Sequence, residues 1–246
     1  TDGYDGHSLR AFYYFREQMP DIVDTVDSIN SIQWVYKPLR QDSKAPTFAL
    51  TYQGTWRTLV VNCRFTPEFA QQIEQRYHEM YVVSDQWVQG KLSQAAKVGY
   101  VDVAFGLRLR TPMLHQSILG SRKTPYEATA EGRTAGNALG QSYGLLNSRA
   151  GMEFMGRVRP SKWKLDIRPC AQIHDAQYFL APNDAKQIHW VNGTLTQEMQ
   201  WQELDEIRHP DVGLSGELDI FRFSWAKGHT LKNNASLADV QKVLYA

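Results

Sequence analysis

Apolar positions along the chain follow helical spacing in the first hundred residues and strand spacing in several later stretches. SLRAFYYFREQM, residues 8–19, is predicted to be an aromatic-rich helix stopped by Pro20, and Leu39 to Thr51 is predicted to be a second helix. In TPEFAQQIEQRYHEMY, Thr66 stands as N-cap and Pro67 at the first helical position, with Phe69, Ile73, Tyr77 and Met80 or Tyr81 on one face expected to be core. Residues 86–98 form a further helix ended by Gly99. YVDVAFGLRLRTP then alternates apolar and other residues around Gly106, as a short hairpin does. Residues 130–155 are expected to make one long helix despite several glycines, each of which costs up to about 1 kcal/mol relative to Ala. KLDIRPCAQIHDAQYFLAPND sets His174 and Asp175 between two short apolar runs, at the tip of a β-hairpin. The C-terminal stretch is strand-bearing, with a final helix near Leu237 to Leu244. The pattern predicts a mixed α/β (α+β) chain.

Composition narrows the picture. A chain of 246 residues can bury one large domain or two modest ones, and no internal repeat or low-complexity linker divides it. Lys and Arg (27) nearly balance Asp and Glu (26), so any basic surface must be local. Two such strips stand out: residues 97–133 hold six Lys or Arg against three acids, and residues 149–168 hold six against two. Cys63 and Cys170 lie far apart and in no ligand-like spacing, which argues against a structural zinc and a disulfide scaffold and for a reducing compartment. No apolar run approaches the roughly 20 residues a membrane helix needs, and TDGYDGHS lacks the features of a signal peptide. The start at Thr1 is expected of a processed product or a piece of something longer.

Three constellations carry chemistry. In RQDSKAPTFALTYQG, residues 40–54, Arg40, Lys44, Phe48 and Tyr52 recur at four-residue steps and form one slowly winding helical stripe of two cations followed by two rings. Such a stripe suits a ligand anionic at one end and flat at the other, a nucleoside triphosphate being one. The alternative is a solvated cationic turn running into a core aromatic pair. Pro46, in the middle of this stretch, is expected to kink the helix between Lys44 and Phe48. Arg133, Asn137 and Gln141 form a second four-residue row, able to track the minor groove of a duplex or to serve as an ordinary polar helix face. His174 and Asp175 offer a carboxylate at a tight turn, of use to a hard divalent cation or merely as a turn cap.

Together and in this order, these segments resemble the family A DNA polymerases, the bacterial polymerase I group and its bacteriophage relatives. RQDSKAPTFALTYQG is similar to that family's motif B on the fingers helix, GYVDVAFGLRLRTP to its glycine-tyrosine-valine hairpin, RTAGNALGQS to its Arg, Asn, Gln helix and CAQIHDAQYFLAP to its motif C palm hairpin. DGHS, Asp5 to Ser8, resembles the aspartate-x-histidine segment that precedes the fingers helix.

The resemblance implies a right-hand polymerase fragment, with helical fingers over residues 1–98 and a palm with an antiparallel hairpin over 99–246. It implies that Arg40 and Lys44 hold an incoming deoxynucleoside triphosphate, that Lys44 also protonates the leaving pyrophosphate, and that Phe48 packs by the sugar while Tyr52 stacks at the templating position. Arg108, Arg133, Asn137 and Gln141 would touch primer-template DNA, with His174 at the primer terminus and Asp175 binding two catalytic Mg²⁺ ions. The family's motif A, which carries a second metal-binding aspartate, is expected before DGHS, where no room remains for it. Two Mg²⁺ ions about 4 Å apart need more than one fixed carboxylate. A second chain or N-terminal fragment carrying thumb and motif A is therefore expected as partner, in a split polymerase of bacterial or phage-infected host cytoplasm. Smaller departures are Ala176 after the aspartate, where Glu is common, Gln53 between Tyr52 and its glycine, and Leu107 in place of an Arg. Alternative readings are a single-subunit-type RNA polymerase fragment, against which Phe48 speaks, and a non-catalytic nucleic-acid-binding subunit.

Overall fold

A computed structural model of the chain describes residues 3–118 and 124–245. It resolves into two compact units, Thr1–Gln141 and Ser142–Ala246. The first begins with seven helices: α1 (Gly6–Tyr14), α2 (Val26–Val35), α3 (Lys37–Asp42), α4 (Lys44–Thr51), α5 (Trp56–Cys63), α6 (Pro67–Met80) and α7 (Val82–Val98). The hairpin of β1 (Tyr100–Asp102) and β2 (Arg108–Arg110), the short α8 (His115–Ile118) and α9 (Tyr126–Gln141) complete it. The second unit holds α10 (Leu145–Val158), the hairpin of β3 (Arg168–Ile173) and β4 (Ala176–Leu180), α11 (Ala185–Met199), the hairpin of β5 (Leu218–Phe221) and β6 (Gly228–Leu231), and α12 (Leu237–Tyr245). Among the described residues every sheet is a two-stranded antiparallel hairpin.

Local chemistry sets the element ends. The Asp5 side chain accepts the Ser8 N–H at the head of α1, so this helix starts two residues ahead of the predicted Ser8 and gives way to a 3₁₀ turn at Arg16. Thr66 caps α6 with Pro67 in its first turn, and Gly99 closes α7 at φ 80°, a left-handed conformation that suits glycine. Ile73 and Tyr77 of α6 are buried as their spacing predicted, in a core with Phe12, Tyr14, Met19 and Leu59. A second core of the first unit joins Leu92 and Ala95 of α7, Val101 of β1 and Ala135 and Leu139 of α9.

Two predicted helices are broken. Leu39 to Thr51 is not one helix: α3 ends at Asp42 and α4 begins at Lys44. Pro46 is the cause, though not where the kink was expected. Proline has no N–H for the carbonyl four residues back, and its ring crowds that carbonyl, here Asp42. The break therefore falls at Asp42 and Ser43, before Lys44, and Pro46 sits in the first turn of α4, where a missing N–H costs little. The expected single helix over 130–155 is likewise two, α9 and α10, parted by a 3₁₀ turn at Ser142–Gly144 where the compact units divide.

In the second unit, Phe154 and Val158 of α10, Ile167, and Val191 and Leu195 of α11 make one core. Glu198 of α11, 6 % exposed, receives Arg149 at 3.1 Å and Arg157 at 2.5 Å from α10, and Arg149 also stacks on Trp201. Two cations of the basic strip at 149–168 are thus consumed internally. Arg122 and Lys123 of the other strip lie outside the described residues.

Candidate nucleotide and metal half-sites

The break before Lys44 leaves α3 and α4 abutting at Ser43, a buried residue whose hydroxyl donates to the Arg40 carbonyl at 2.8 Å and the His7 carbonyl at 3.2 Å. Pro46, Thr47 and Leu50 bury one face of α4. Thr47 donates to the Ser43 carbonyl at 2.7 Å and meets the hydroxyl of Tyr14, whose pKa burial pushes up to about 12. The opposite face carries the predicted stripe. Phe48 is 50 % and Tyr52 46 % exposed, and their rings stack with centroids 6.5 Å apart and planes 17° from parallel. The alternative of a core aromatic pair is overturned: the rings face solvent because the smaller residues of α4 take the core.

The cationic end is more elaborate than the stripe alone. Arg40 donates through Nε and Nη2 to the two carboxylate oxygens of Asp5, at 2.9 and 3.0 Å. The Arg40 hydrogen bonds hold the Asp5 carboxyl far below the usual carboxylate range, with the Ser8 N–H assisting. Asp5 therefore caps α1 and fixes the guanidinium in one act. Arg10 reaches the His7 Nδ1 at 3.3 Å and donates to the Tyr81 hydroxyl at 2.6 Å. Partial burial, followed by the charges of Arg10, Lys44 and Arg40, depresses the His7 pKa. Four cationic or potentially cationic side chains thus converge on the N-terminus of α1, a concentration that favours an anion. The resemblance of DGHS assigns no role to His7 or Arg10, whose signal in the sequence is proximity to Asp5.

The end of α4 is fixed by close approach. Gln53 takes the left-handed region at φ 62°, and the Gly54 N–H bonds the Ala49 carbonyl at 2.8 Å, so near that a Cβ on Gly54 would lie 2.5 Å from that oxygen. Gln53 also rests against Gly136 of α9, where a Cβ would sit 3.0 Å from its Cγ. The row predicted on α9 is therefore next to the end of the aromatic stripe. Arg133 and Gln141 are exposed, and the Asn137 Oδ1 is buried without a hydrogen-bond partner. Arg108 is already engaged, by Asp102 at 2.9 Å across the β1–β2 hairpin and by the Tyr100 ring.

The metal half-site belongs to the second unit. His174 and Asp175 form the two-residue turn between paired Ile173 and Ala176, with His174 left-handed at φ 53°. Helix α10 braces this turn: Asn147 donates to the His174 carbonyl at 3.2 Å, Gln177 to the Asn147 carbonyl at 2.5 Å, and Gln172 to the Ser148 hydroxyl at 2.8 Å. Both His174 and Asp175 are exposed, as is every residue of β3. Among the described residues no group of three or more His, Cys, Asp or Glu is placed to hold a metal ion. Asp175 can supply one ligand to a hard cation but does not by itself make a site for two.

The described residues thus present a helical stripe, with Arg40 anchored by Asp5 and two open rings beyond Lys44, and a braced hairpin carrying one exposed carboxylate. The sequence model for DNA polymerase family A matches residues 16–220, and the chain belongs to that family. Among solved structures the chain is similar to the POL domain of Pol1 from M. smegmatis in complex with DNA primer-template and dNTP, with a TM-score of 0.62 and 19 % identity. That match covers 87 % of this chain and 33 % of the other, so the chain spans about a third of its length, and the likeness is one of fold. No curated protein matches. Among the described residues no helix is long and apolar enough to cross a membrane.

Proposed function

We propose that the chain supplies the triphosphate grip and one metal-binding aspartate of a template-dependent DNA polymerase. The observation that carries this reading is the stripe on α3 and α4, with Arg40 anchored by Asp5 and followed by Lys44 at one end and solvent-facing stacked rings at the other. Arg40 and Lys44 hold the triphosphate of the incoming nucleotide, Phe48 lies by its sugar, and Tyr52 stacks at the templating base. Arg133, Asn137 and Gln141 follow the new duplex; the unpartnered Asn137 oxygen accepts a hydrogen bond from a donor on the nucleic acid. Arg108 contributes once it leaves Asp102. His174 lies at the primer terminus.

The reaction is attack of the primer 3′-hydroxyl oxygen on the α-phosphorus, with the hydroxyl proton lost to solvent water as the new P–O bond forms. The bond from the α-phosphorus to the bridging oxygen breaks, and pyrophosphate departs with a proton from Lys44. Mg²⁺ supplies charge neutralisation on the phosphates, with Asp175 as this chain's ligand. A second aspartate comes from another polypeptide or an N-terminal fragment that also carries the thumb. The unpaired edges of the β3–β4 hairpin support this, since an exposed two-stranded ribbon is a template for another strand.

A mixing assay tests the reading. Purified chain with primer-template, four dNTPs and Mg²⁺ is expected to extend nothing, and to extend once the aspartate-bearing polypeptide is added. Extension by this chain alone, or none in the mixture, overturns it.

A further inference from the structure

The β5–β6 hairpin ends in a loop, Phe221 to Gly228, that begins just past the last residue matched by the family model, Ile220. The loop is ordered: the Ser224 hydroxyl accepts the Ala226 N–H at 3.2 Å, the Ser224 carbonyl accepts the Lys227 N–H at 3.0 Å, and the Phe221 ring covers Gly228, where a Cβ would lie 2.7 Å away. Yet it presents large rings to water. Phe223 is 82 % and Trp225 64 % exposed. Trp225 is held edge-on by Tyr178 of β4 at 5.2 Å and Phe221 at 6.4 Å, and Arg222 lies 4.5 Å over Phe223. Tyr178 lies on β4, three residues beyond Asp175 of the turn that precedes this strand.

Charge selects the occupant. From Ile220 to Ala238 the chain carries Arg222, Lys227 and Lys232 and no acid. Among the described residues neither Arg222 nor Lys227 forms an ion pair with a carboxylate, while Lys232 helps to hold down the pKa of Asp239. Fixed rings interleaved with free cations are the elements that bind single strands, rings taking base faces and cations the backbone. A protein partner would need roughly 800 Å² on this side, more than one short loop offers, and an interface core poor in charge.

We propose that the tip of the β5–β6 hairpin binds single-stranded DNA, with Phe223 and Trp225 as base-stacking platforms and Arg222 and Lys227 as phosphate contacts. The site serves the unpaired part of the primer-template, and in that sense it rests on the polymerase reading.

The test is fluorescence anisotropy of a labelled single-stranded oligonucleotide and a blunt duplex, titrated with the full chain. Phe223→Leu and Trp225→Leu remove rings that lie outside both cores of the second unit, and each should weaken single-strand binding roughly tenfold or more while leaving the duplex unchanged. Phe223→Tyr keeps a π face and should retain binding. Arg222→Ala should flatten the dependence of log affinity on log salt by about 0.7. Unchanged single-strand affinity in the Leu variants, or equal loss in Phe223→Tyr, overturns the proposal. If the Leu variants instead abolish only association with the second polypeptide, the occupant is a protein and the proposal fails. A wild-type chain that binds duplex but not single strands defeats this inference alone; one that binds neither defeats the polymerase reading with it.

Discussion

The stripe on α3 and α4 and the turn at His174–Asp175 differ in how much of their chemistry is held in place. Arg40 is gripped at two oxygens by a carboxylate that also caps α1, and Ser43 ties the helix junction to His7. The Asp175 turn is well braced from behind by Asn147 and Gln177, but its carboxylate faces solvent, and among the described residues it belongs to no group of three or more potential metal ligands. A bidentate pair orients a guanidinium without any ligand. A lone carboxylate can be equally well placed and still cannot hold two divalent ions against their repulsion. Arg40 is held in place before any ligand arrives; Asp175 is presented to solvent on a braced turn.

The largest expected effect sits on the Asp175 side. In the complemented extension assay, Asp175→Asn should lower kcat on the order of 10³-fold while dNTP affinity stays near normal. Survival of activity would remove the contrast by showing that the turn is not a metal ligand. On the side of the stripe, Arg40→Ala and Lys44→Ala should each reduce kcat/KM for dNTP about 10- to 100-fold with duplex affinity unchanged. A uniform loss of duplex affinity would mark the stripe as a backbone-binding surface instead.

Support for each half can be tested separately. Glu198→Ala strips the partner from Arg149 and Arg157 and should cost the second unit about 1–3 kcal/mol in a denaturant titration, Arg157 being half exposed. Asp5→Asn retains a side chain able to cap α1 but loses the charge that fixes Arg40, and should raise the KM for dNTP about fivefold with little change in kcat. A fall in KM would mean that Asp5 competes with the triphosphate. Because the Asp5 pKa is lower folded than unfolded, its contribution to stability is complete above the unfolded value near 3.9 and fades as pH falls toward the folded one. His7, also depressed, acts in the same direction at higher pH: the unfolded state binds its proton first, so stability falls as pH drops below about 6.5. Thermal melts of wild type and Asp5→Asn should differ by a constant amount at higher pH and begin to converge only as pH falls below about 4.

Much of this contrast was legible in the sequence, and the rest was hidden for physical reasons. Caps and periodicity located α6, Gly99 and the His174–Asp175 turn. Pro46 announced a break, but its effect falls on the carbonyl four residues earlier, so the kink was put on the wrong side of Lys44. Gly140, Ser142 and Gly144 carried the signal that parts α9 from α10, and the periodicity on either side masked it. Helix α2, rich in Ser, Asn and β-branched residues, has low intrinsic propensity and forms by burying Ile29 and Ile32. Helix α11 went unrecognised although Ile188, Val191 and Leu195 keep helical spacing. The pairing of Asp5 with Arg40 spans 35 residues, and that of Arg149 with Glu198 spans 49. Tertiary contacts of that range decide which cations of a basic strip remain free, and no local pattern reports them.

Triphosphate binding by the isolated chain tests the central contrast most directly. Equilibrium titration of a dNTP with Mg²⁺ should give saturable binding, weakened about 10- to 100-fold by Lys44→Ala and indifferent to Asp175→Asn. An absence of binding, or a loss in Asp175→Asn as large as that in Lys44→Ala, would contradict the account.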